Sequence, residues 1–121
     1  MINIVLIDDN EIDLFVNRKL LEVADLSVKI TDFLNPKYAL EHLKKEKKVD
    51  LILVDHQMSS YTGYSFLNEF YNLKLGYEPK IAVLTASANP DEHLQYNLIS
   101  KDIDVWEKPL NIDLIKAIFP I

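Results

Sequence analysis

The chain has 121 residues, 49% of them hydrophobic and 26% charged, and this composition predicts one globular domain over residues 1–121. A net charge of −6 argues against binding to nucleic acid, which needs clustered Lys and Arg, and the absence of cysteine agrees with a reducing compartment. No apolar run approaches the roughly 20 residues that span a bilayer and no signal peptide is visible, so we expect a cytoplasmic protein outside the membrane.

The first half of the chain predicts two strands, each followed by a helix. Residues 2–7 form an apolar run typical of a buried strand, and Asn10 is a suitable cap for the helix that follows. The apolar face of this helix is indicated by residues at helical spacing: Ile12, Phe15, Val16, Leu20 and Val23. Apolar and polar residues alternate around 28–30, as in an edge strand, and the Asn35–Pro36 pair predicts the next helix start.

The second half continues the same alternation. Three further strands are predicted, at residues 49–54, 81–84 and 103–106. A helix is expected after each of them, beginning near Gly63, at the Asn89–Pro90 pair and after Asn111. Five strand–helix units in this order predict an α/β fold, with a parallel sheet, right-handed crossovers and helices on both faces.

Polar residues follow four of the predicted strands. Asp8 and Asp9 follow the first strand, Asp55 the third, Thr85 the fourth and Lys108 the last. Ligands of open parallel sheets bind outside the carboxyl ends of the strands, so we expect these side chains to converge. Three carboxylates together require a cation, and a site of oxygen ligands favours Mg²⁺. A lysine and a threonine beside them favour a bound phosphoryl group.

Each of these residues alone also has an ordinary structural explanation. Acidic residues such as Asp8 and Asp9 are common where a helix begins, Thr85 would be a usual strand residue and Lys108 a usual surface lysine. Asp55 is different because it closes the apolar run 51–54, where an unpaired carboxylate is costly. The combination, rather than any single residue, therefore favours a functional site.

These motifs resemble those of the response regulator receiver domains along the whole chain. The similar segments are IVLIDDNE, LILVDHQM, the glycine at Gly63, VLTAS and VWEKPL. The resemblance implies a flavodoxin-like fold with strand order 2-1-3-4-5. It also implies that Asp55 accepts a phosphoryl group from a phosphohistidine on a histidine kinase or a histidine phosphotransfer protein.

The resemblance assigns roles to the neighbouring residues as well. The implied Mg²⁺ ligands are Asp9, Asp55 and the backbone carbonyl of Gln57, with Asp8 acting mainly through water. The implied contacts of the phosphoryl group are Lys108, Thr85 and the backbone of His56 and Ala86. Gln57 and Ser87 flank the path of the hydrolytic water and would modulate phosphate lifetime. The Lys108–Pro109 peptide bond is expected to be cis.

Two positions depart from the family pattern. Ser59 stands where the loop after the phosphoacceptor usually has proline. Val105, three residues before the lysine, stands where an aromatic ring commonly acts as a switch. Trp106 is next to it, but neighbouring strand side chains face opposite ways, so it is no simple replacement. Val105 and Trp106 are therefore candidates for an altered switch or an interface, with Trp106 either packed on the last helix or partly exposed.

The favoured function is a signalling domain without an output domain, which catalyses only its own phosphorylation and dephosphorylation. It would act on an unknown downstream protein as a monomer or weak homodimer. One alternative is a pseudo-receiver that binds partners without phosphorylation. A second is a Mg²⁺-dependent aspartyl-phosphate phosphohydrolase, disfavoured because Gln57 cannot replace the acid/base carboxylate that such enzymes place two residues after the nucleophile.

Overall fold

A computed structural model describes residues 1–59, 61–87 and 89–120, and this part of the chain forms five strands and five helices. The strands are β1 (Ile2–Ile7), β2 (Val28–Phe33), β3 (Leu51–Asp55), β4 (Lys80–Thr85) and β5 (Ile103–Glu107). The helices are α1 (Glu11–Val23), α2 (Pro36–Lys45), α3 (Gly63–Asn72), α4 (Pro90–Asn97) and α5 (Ile112–Ile118). Strands and helices alternate along the chain, as predicted.

The strands form one parallel sheet in the order β2-β1-β3-β4-β5. The expected strand order is confirmed, and β2 lies at an edge as its alternating pattern predicts. Asp55 of β3 pairs in register with Leu84 of β4, and Thr85 pairs with Glu107 of β5. The ends of these strands therefore lie side by side, which brings the residues that follow them to one edge of the sheet.

The start of β3 differs from its predicted position. The apolar run suggested a strand from residue 49, whereas β3 begins at Leu51. The carboxylate of Asp50 accepts the backbone N–H of Asn3 at 2.8 Å, and the N–H of Asp50 donates to the carbonyl of Asn3 at 2.9 Å. At Asp50 a side chain thus takes the place of a backbone acceptor. The regular backbone ladder begins at the next residue, Leu51.

The sheet is covered on both faces. One apolar cluster joins odd-numbered β1 residues to the helices α2, α3 and α4, and it includes Val5, Phe66 and Tyr96. The other cluster joins the even-numbered residues of β1 to α1 and α5, and it includes Leu6 and Ile115. Because the central strands are buried on both sides, their sequences are almost wholly apolar.

Polar side chains cap the helix starts. Asn10, Asn35, Asn89 and Asn111 each accept a backbone N–H in the first turn of the helix that follows, as the sequence predicts. Thr62 does the same for α3. Such a cap contributes about 1 kcal/mol to helix stability. In the part of the chain that is described, no helix combines the length and the apolar character needed to cross a membrane.

Helix α1 packs on the sheet through a different face from the one that its sequence indicates. Its buried residues are Leu14, Asn17 and Leu21. Leu20 is half-buried, but the rest of the predicted face is exposed: Ile12, Phe15, Val16 and Val23. The prediction was wrong because α1 carries apolar residues on two faces, and helical spacing alone fits either orientation.

This orientation predicts effects of very different size for two similar truncations in α1. Leu21→Ala should lower the free energy of unfolding by about 2–5 kcal/mol, because Leu21 is 0% exposed and a cavity would remain. Ile12→Ala should change it by less than about 0.5 kcal/mol, because Ile12 is 73% exposed. Urea denaturation of both variants measures this difference. A larger loss for Ile12→Ala would mean that α1 is rotated about its axis relative to this structure.

Candidate functional site at the carboxyl edge of the sheet

Two of the carboxylates predicted to converge, Asp8 and Asp55, lie around Lys108. Its Nζ lies 2.9 Å from Oδ1 of Asp55 and 3.6 Å from Oδ2 of Asp8. Asp8 follows β1, Asp55 is the last residue of β3 and Lys108 follows β5. The residues in contact therefore come from the ends of three strands. Asp8 and Asp55 are only 2% and 7% exposed, which means that their charges interact with little screening by water.

The three carboxylates form a group that suits a divalent cation. One oxygen each from Asp8, Asp9 and Asp55 lie within 4.8 Å of one another. Oδ1 of Asp8 accepts the N–H of Asn10 at 2.9 Å, while its buried Oδ2 accepts no hydrogen bond from any residue that the structure describes. A buried oxygen without a donor, in a set made only of oxygens, fits a hard cation such as Mg²⁺.

Burial and mutual repulsion raise the pKa values of two of these carboxyl groups. The pKa of Asp8 rises to about 6, mainly because the group is buried and further because Asp55 is nearby, although the N–H of Asn10 opposes the rise. Burial also raises the pKa of Asp55, and the hydrogen bond from Lys108 limits this effect. Both groups therefore lie in a site where an added positive charge would favour their ionised forms.

Lys108 has a further partner that sequence reasoning missed. Oδ2 of Asp13, in the first turn of α1, lies 3.0 Å from Nζ of Lys108. Burial alone would lower the pKa of Lys108, but its hydrogen bonds to Asp55 and Asp13 raise that pKa above the ordinary value. In sequence, Asp13 resembles any acidic residue at a helix start. The signal that could have indicated its place in the site was its position four residues after Asp9.

Comparison with known proteins agrees with this arrangement of fold and acidic site. The sequence profile described as the response regulator receiver domain matches residues 4–119. The chain belongs to this family. Receiver domains are signalling domains of two-component systems, so the broad functional prediction is confirmed. A comparison with curated protein sequences finds no significant match.

Solved structures of receiver domains share the fold over nearly the full chain. A response regulator receiver protein from Dyadobacter fermentans is 24% identical, with a TM-score of 0.81 and complete coverage of both chains. A chemotaxis protein from Vibrio cholerae is 21% identical, with a TM-score of 0.78 and coverage of 98% of this chain and 97% of that one. A response regulator from Burkholderia pseudomallei, solved with a phosphorylated aspartic acid and a calcium ion, is 27% identical, with a TM-score of 0.76. Its alignment covers 97% of this receiver domain and 65% of the other chain.

Ser59, a departure from the family pattern, contacts the acidic site through its backbone. Its N–H donates to Oδ2 of Asp9, and hydrogen bonds from Ser59 hold the pKa of Asp9 below its usual range. A proline at this position has no N–H and could not make this contact. The substitution therefore gives the receiver domain a link between the loop after β3 and the acidic pair after β1.

The remaining predicted contact residues lie at the end of β4 and in the loops after β3 and β4. The hydroxyl of Thr85, which is 4% exposed, donates to the carbonyl of Ser87 at 3.3 Å and accepts its N–H at 3.4 Å. Gln57, Ala86 and Ser87 are exposed. The N–H of His56 donates to the carbonyl of Leu84 at 2.8 Å. A contact between that N–H and a phosphoryl oxygen would therefore have to share or replace an existing hydrogen bond.

Val105 and Trp106 are both buried, at 6% and 8% exposure, and they lie in the clusters on opposite faces of the sheet. Trp106 packs in the same cluster as Ile115 of α5, so of the two expected positions the one against the last helix is observed. Neither side chain forms an exposed interface. The Lys108–Pro109 peptide bond that follows is cis, as predicted.

Asp8→Asn should stabilise the receiver domain near pH 7 when divalent cations are removed by a chelator. The pKa of Asp8 is about 6 in the folded protein against 3.8 for an unperturbed group, so its ionisation destabilises the fold increasingly from about pH 4 to pH 6. Replacing the carboxylate should therefore add about 1–3 kcal/mol at pH 7 and almost nothing at pH 4.

Urea denaturation at the two pH values measures this difference. Asp25→Asn, which removes an exposed carboxylate in the loop between α1 and β2, is the matched control and should show little change at either pH. Lower stability of Asp8→Asn at pH 7 would contradict the argument, because it would show that the ionised carboxylate contributes favourably to the metal-free fold.

Proposed function

We propose that this receiver domain accepts a phosphoryl group on Asp55 and signals through the structural change that follows. The observation that carries the proposal is the 2.9 Å contact between Asp55 Oδ1 and Lys108 Nζ, in a site that also holds Asp8 and Asp9. A carboxylate beside a fixed ammonium is held in one orientation, and the ammonium can share the negative charge of an incoming phosphoryl group.

In the transfer, an oxygen of Asp55 forms a bond to phosphorus while the bond between phosphorus and the donor's histidine nitrogen breaks. The electron pair of the broken bond stays on the imidazole, and the product on Asp55 is an acyl phosphate. Lys108 and the hydroxyl of Thr85 supply positive charge and a hydrogen-bond donor for the phosphoryl oxygens. Because the hydrogen bonds between Thr85 and Ser87 are long, at 3.3 and 3.4 Å, turning that hydroxyl toward the phosphoryl group should cost little.

A divalent cation, Mg²⁺, completes the proposed site. Asp8, Asp9, Asp55 and the backbone carbonyl of Gln57 would hold it, and the buried oxygen of Asp8 that accepts no hydrogen bond from the described residues supports this assignment. When bound, the ion would neutralise charge on the phosphoryl group and the carboxylates. The similar Burkholderia pseudomallei protein, which carries a phosphorylated aspartic acid and a calcium ion, agrees with this chemistry.

The donor in this proposal is a histidine kinase or a histidine phosphotransfer protein, and the receptor of the signal is another protein. Phosphorylation adds negative charge at Asp55, which shifts the balance between two conformations and so changes the affinity for that partner. Gln57 and Ser87 are exposed beside the site, where their side chains can limit the approach of water to the acyl phosphate. These two residues are therefore assigned to control of phosphate lifetime.

Incubation with acetyl phosphate and Mg²⁺ should add one phosphoryl group to the wild-type receiver domain and none to Asp55→Asn. The amide of asparagine is a poor nucleophile and cannot form the acyl phosphate. Intact-protein mass spectrometry measures the adduct. Asp25→Asn removes an exposed carboxylate far from Asp55 in sequence and should be phosphorylated like the wild type.

The result separates the proposal from the principal alternative. Absence of an adduct in the wild type, together with absence of Mg²⁺ binding, would favour a pseudo-receiver that binds its partner without phosphorylation. An adduct that persists in Asp55→Asn would show that another residue accepts the group.

Mg²⁺ should stabilise the wild-type fold and have much less effect on Asp9→Asn. A ligand that binds only the folded protein adds about 2.7 kcal/mol of stability at a hundred times its Kd, and Asp9 is a proposed ligand that makes no contact with Lys108 within salt-bridge distance. Urea denaturation at increasing Mg²⁺ concentration measures this effect, with Asp25→Asn as the matched control. Equal Mg²⁺ stabilisation of Asp9→Asn and the wild type would remove Asp9 from the site.

A further inference from the structure

The side chain of His56 connects the end of β3 to helix α4. His56 directly follows Asp55, and its Nδ1 lies 2.7 Å from the hydroxyl of Tyr96. Its Nε2 lies 3.5 Å from Oε1 of Glu92. Glu92 and Tyr96 are one helical turn apart on the same face of α4, so both meet the same imidazole ring.

Helix α4 packs beside β5 and enters the apolar core through Tyr96. Tyr96, at 0% exposure, is the buried residue of this helix among those described. Leu94 and Leu98 on either side of it are 65% and 82% exposed. The hydrogen bond to His56 is therefore a principal polar contact that sets where α4 lies on the sheet.

The proton arrangement in this cluster follows from burial. Burial raises the pKa of Tyr96 above its ordinary value, and the charge of Glu92 adds to that effect. The hydroxyl therefore keeps its proton and can donate it to Nδ1 of His56. Oε2 of Glu92 is buried and receives no hydrogen bond from the residues described, so this carboxylate has a strong preference for a nearby donor.

Gly63 brings the same cluster into close packing with the backbone of Asp55. A Cβ atom at Gly63 would lie 2.8 Å from the carbonyl oxygen of Asp55 and 2.9 Å from the hydroxyl of Tyr96. The N–H of Gly63 also donates to the carbonyl of His56 at 3.0 Å. Gly63 thus lies between the end of β3 and the Tyr96 hydroxyl in close packing. Displacement of any one of these three groups would therefore displace the other two.

We propose that His56 and Tyr96 are positioning residues that couple the phosphorylation state of Asp55 to the position of α4. The proposal rests on the phosphorylation of Asp55 proposed above. A phosphoryl oxygen that accepts a hydrogen bond from the N–H of His56 would compete with the carbonyl of Leu84 for that N–H. This competition would shift the imidazole relative to Tyr96. Val105 of β5 has no polar side-chain atom and cannot carry such a link, whereas Tyr96 brings a buried hydroxyl from α4.

The surface that changes is then the exposed side of α4. Leu94 and Leu98 are separated by one helical turn and flank Tyr96 in the chain. Movement of Tyr96 would move both, so a partner that binds them would distinguish the two states of Asp55.

Nuclear magnetic resonance of the full chain tests the coupling. Amide chemical shifts of α4 are recorded before and after addition of Mg²⁺ with beryllium fluoride, which mimics the phosphoryl group on a carboxylate. In Tyr96→Phe the shift changes of α4 should fall to less than about half of the wild-type values, while those around Asp55 persist. Tyr77→Phe, which removes a hydroxyl that donates to the carbonyl of Leu43, is the matched control and should behave like the wild type.

His56→Phe gives a second, independent variant that keeps a ring of similar size. It should reduce the α4 shift changes as Tyr96→Phe does, and the double variant should show no further loss, because both changes remove one interaction. Wild-type α4 responses in Tyr96→Phe, or losses that simply add in the double variant, would overturn the coupling. Absence of any response around Asp55 in the wild type, together with absence of an acetyl phosphate adduct, would instead mean that the proposed phosphorylation fails.

Discussion

The interaction on which the rest of this structure depends is the contact of the Lys108 ammonium with carboxylates at the carboxyl edge of the sheet. Asp8 and Asp55 are nearly inaccessible to water, so their ionised forms repel each other with little screening. Lys108 compensates part of this repulsion and also contacts Asp13. The site therefore combines three features that each lower stability: burial of charge, like charges close together and a carboxylate oxygen without a hydrogen bond. The Lys108 ammonium and the strands beneath the site hold these groups in place.

The parallel sheet supplies the rigidity that this arrangement requires. The central strands are apolar on both faces, and their packing fixes the positions at which Asp8, Asp55 and Lys108 leave the sheet. The polar groups themselves lie at strand ends and in the loops beyond them. A stable apolar core thus supports a local arrangement of charges that lowers stability. Such a loss of stability at the site is common in functional proteins.

The helices are not equally attached to this core. Helix α1 buries Leu14 and Leu21 against the sheet, whereas Tyr96 is the buried residue of α4. Tyr96 lies in the apolar cluster on the face of the sheet opposite to α1. The contact of His56 with Tyr96 connects α4 to the residue next to the phosphoacceptor.

Local chemistry in the sequence determined much of the architecture. Apolar runs marked the buried strands, and asparagine caps marked helix starts, because each depends on residues that are neighbours in the chain. The site could be predicted as well, since parallel strands bring their carboxyl ends to one edge whatever the details of packing. For Asp8, Asp55 and Lys108, knowing the strand ends was sufficient to predict that they converge.

Only the tertiary structure decided which of two apolar faces of α1 is buried, because helical spacing fits both and the sheet accepts one. It also decided that Lys108 meets Asp13, and that His56 meets Tyr96, which is 40 residues away in the chain. Such contacts depend on the direction of a side chain and on the packing of separate elements. Periodicity and capping describe interactions within one element, so they carry no information about which distant side chains will touch.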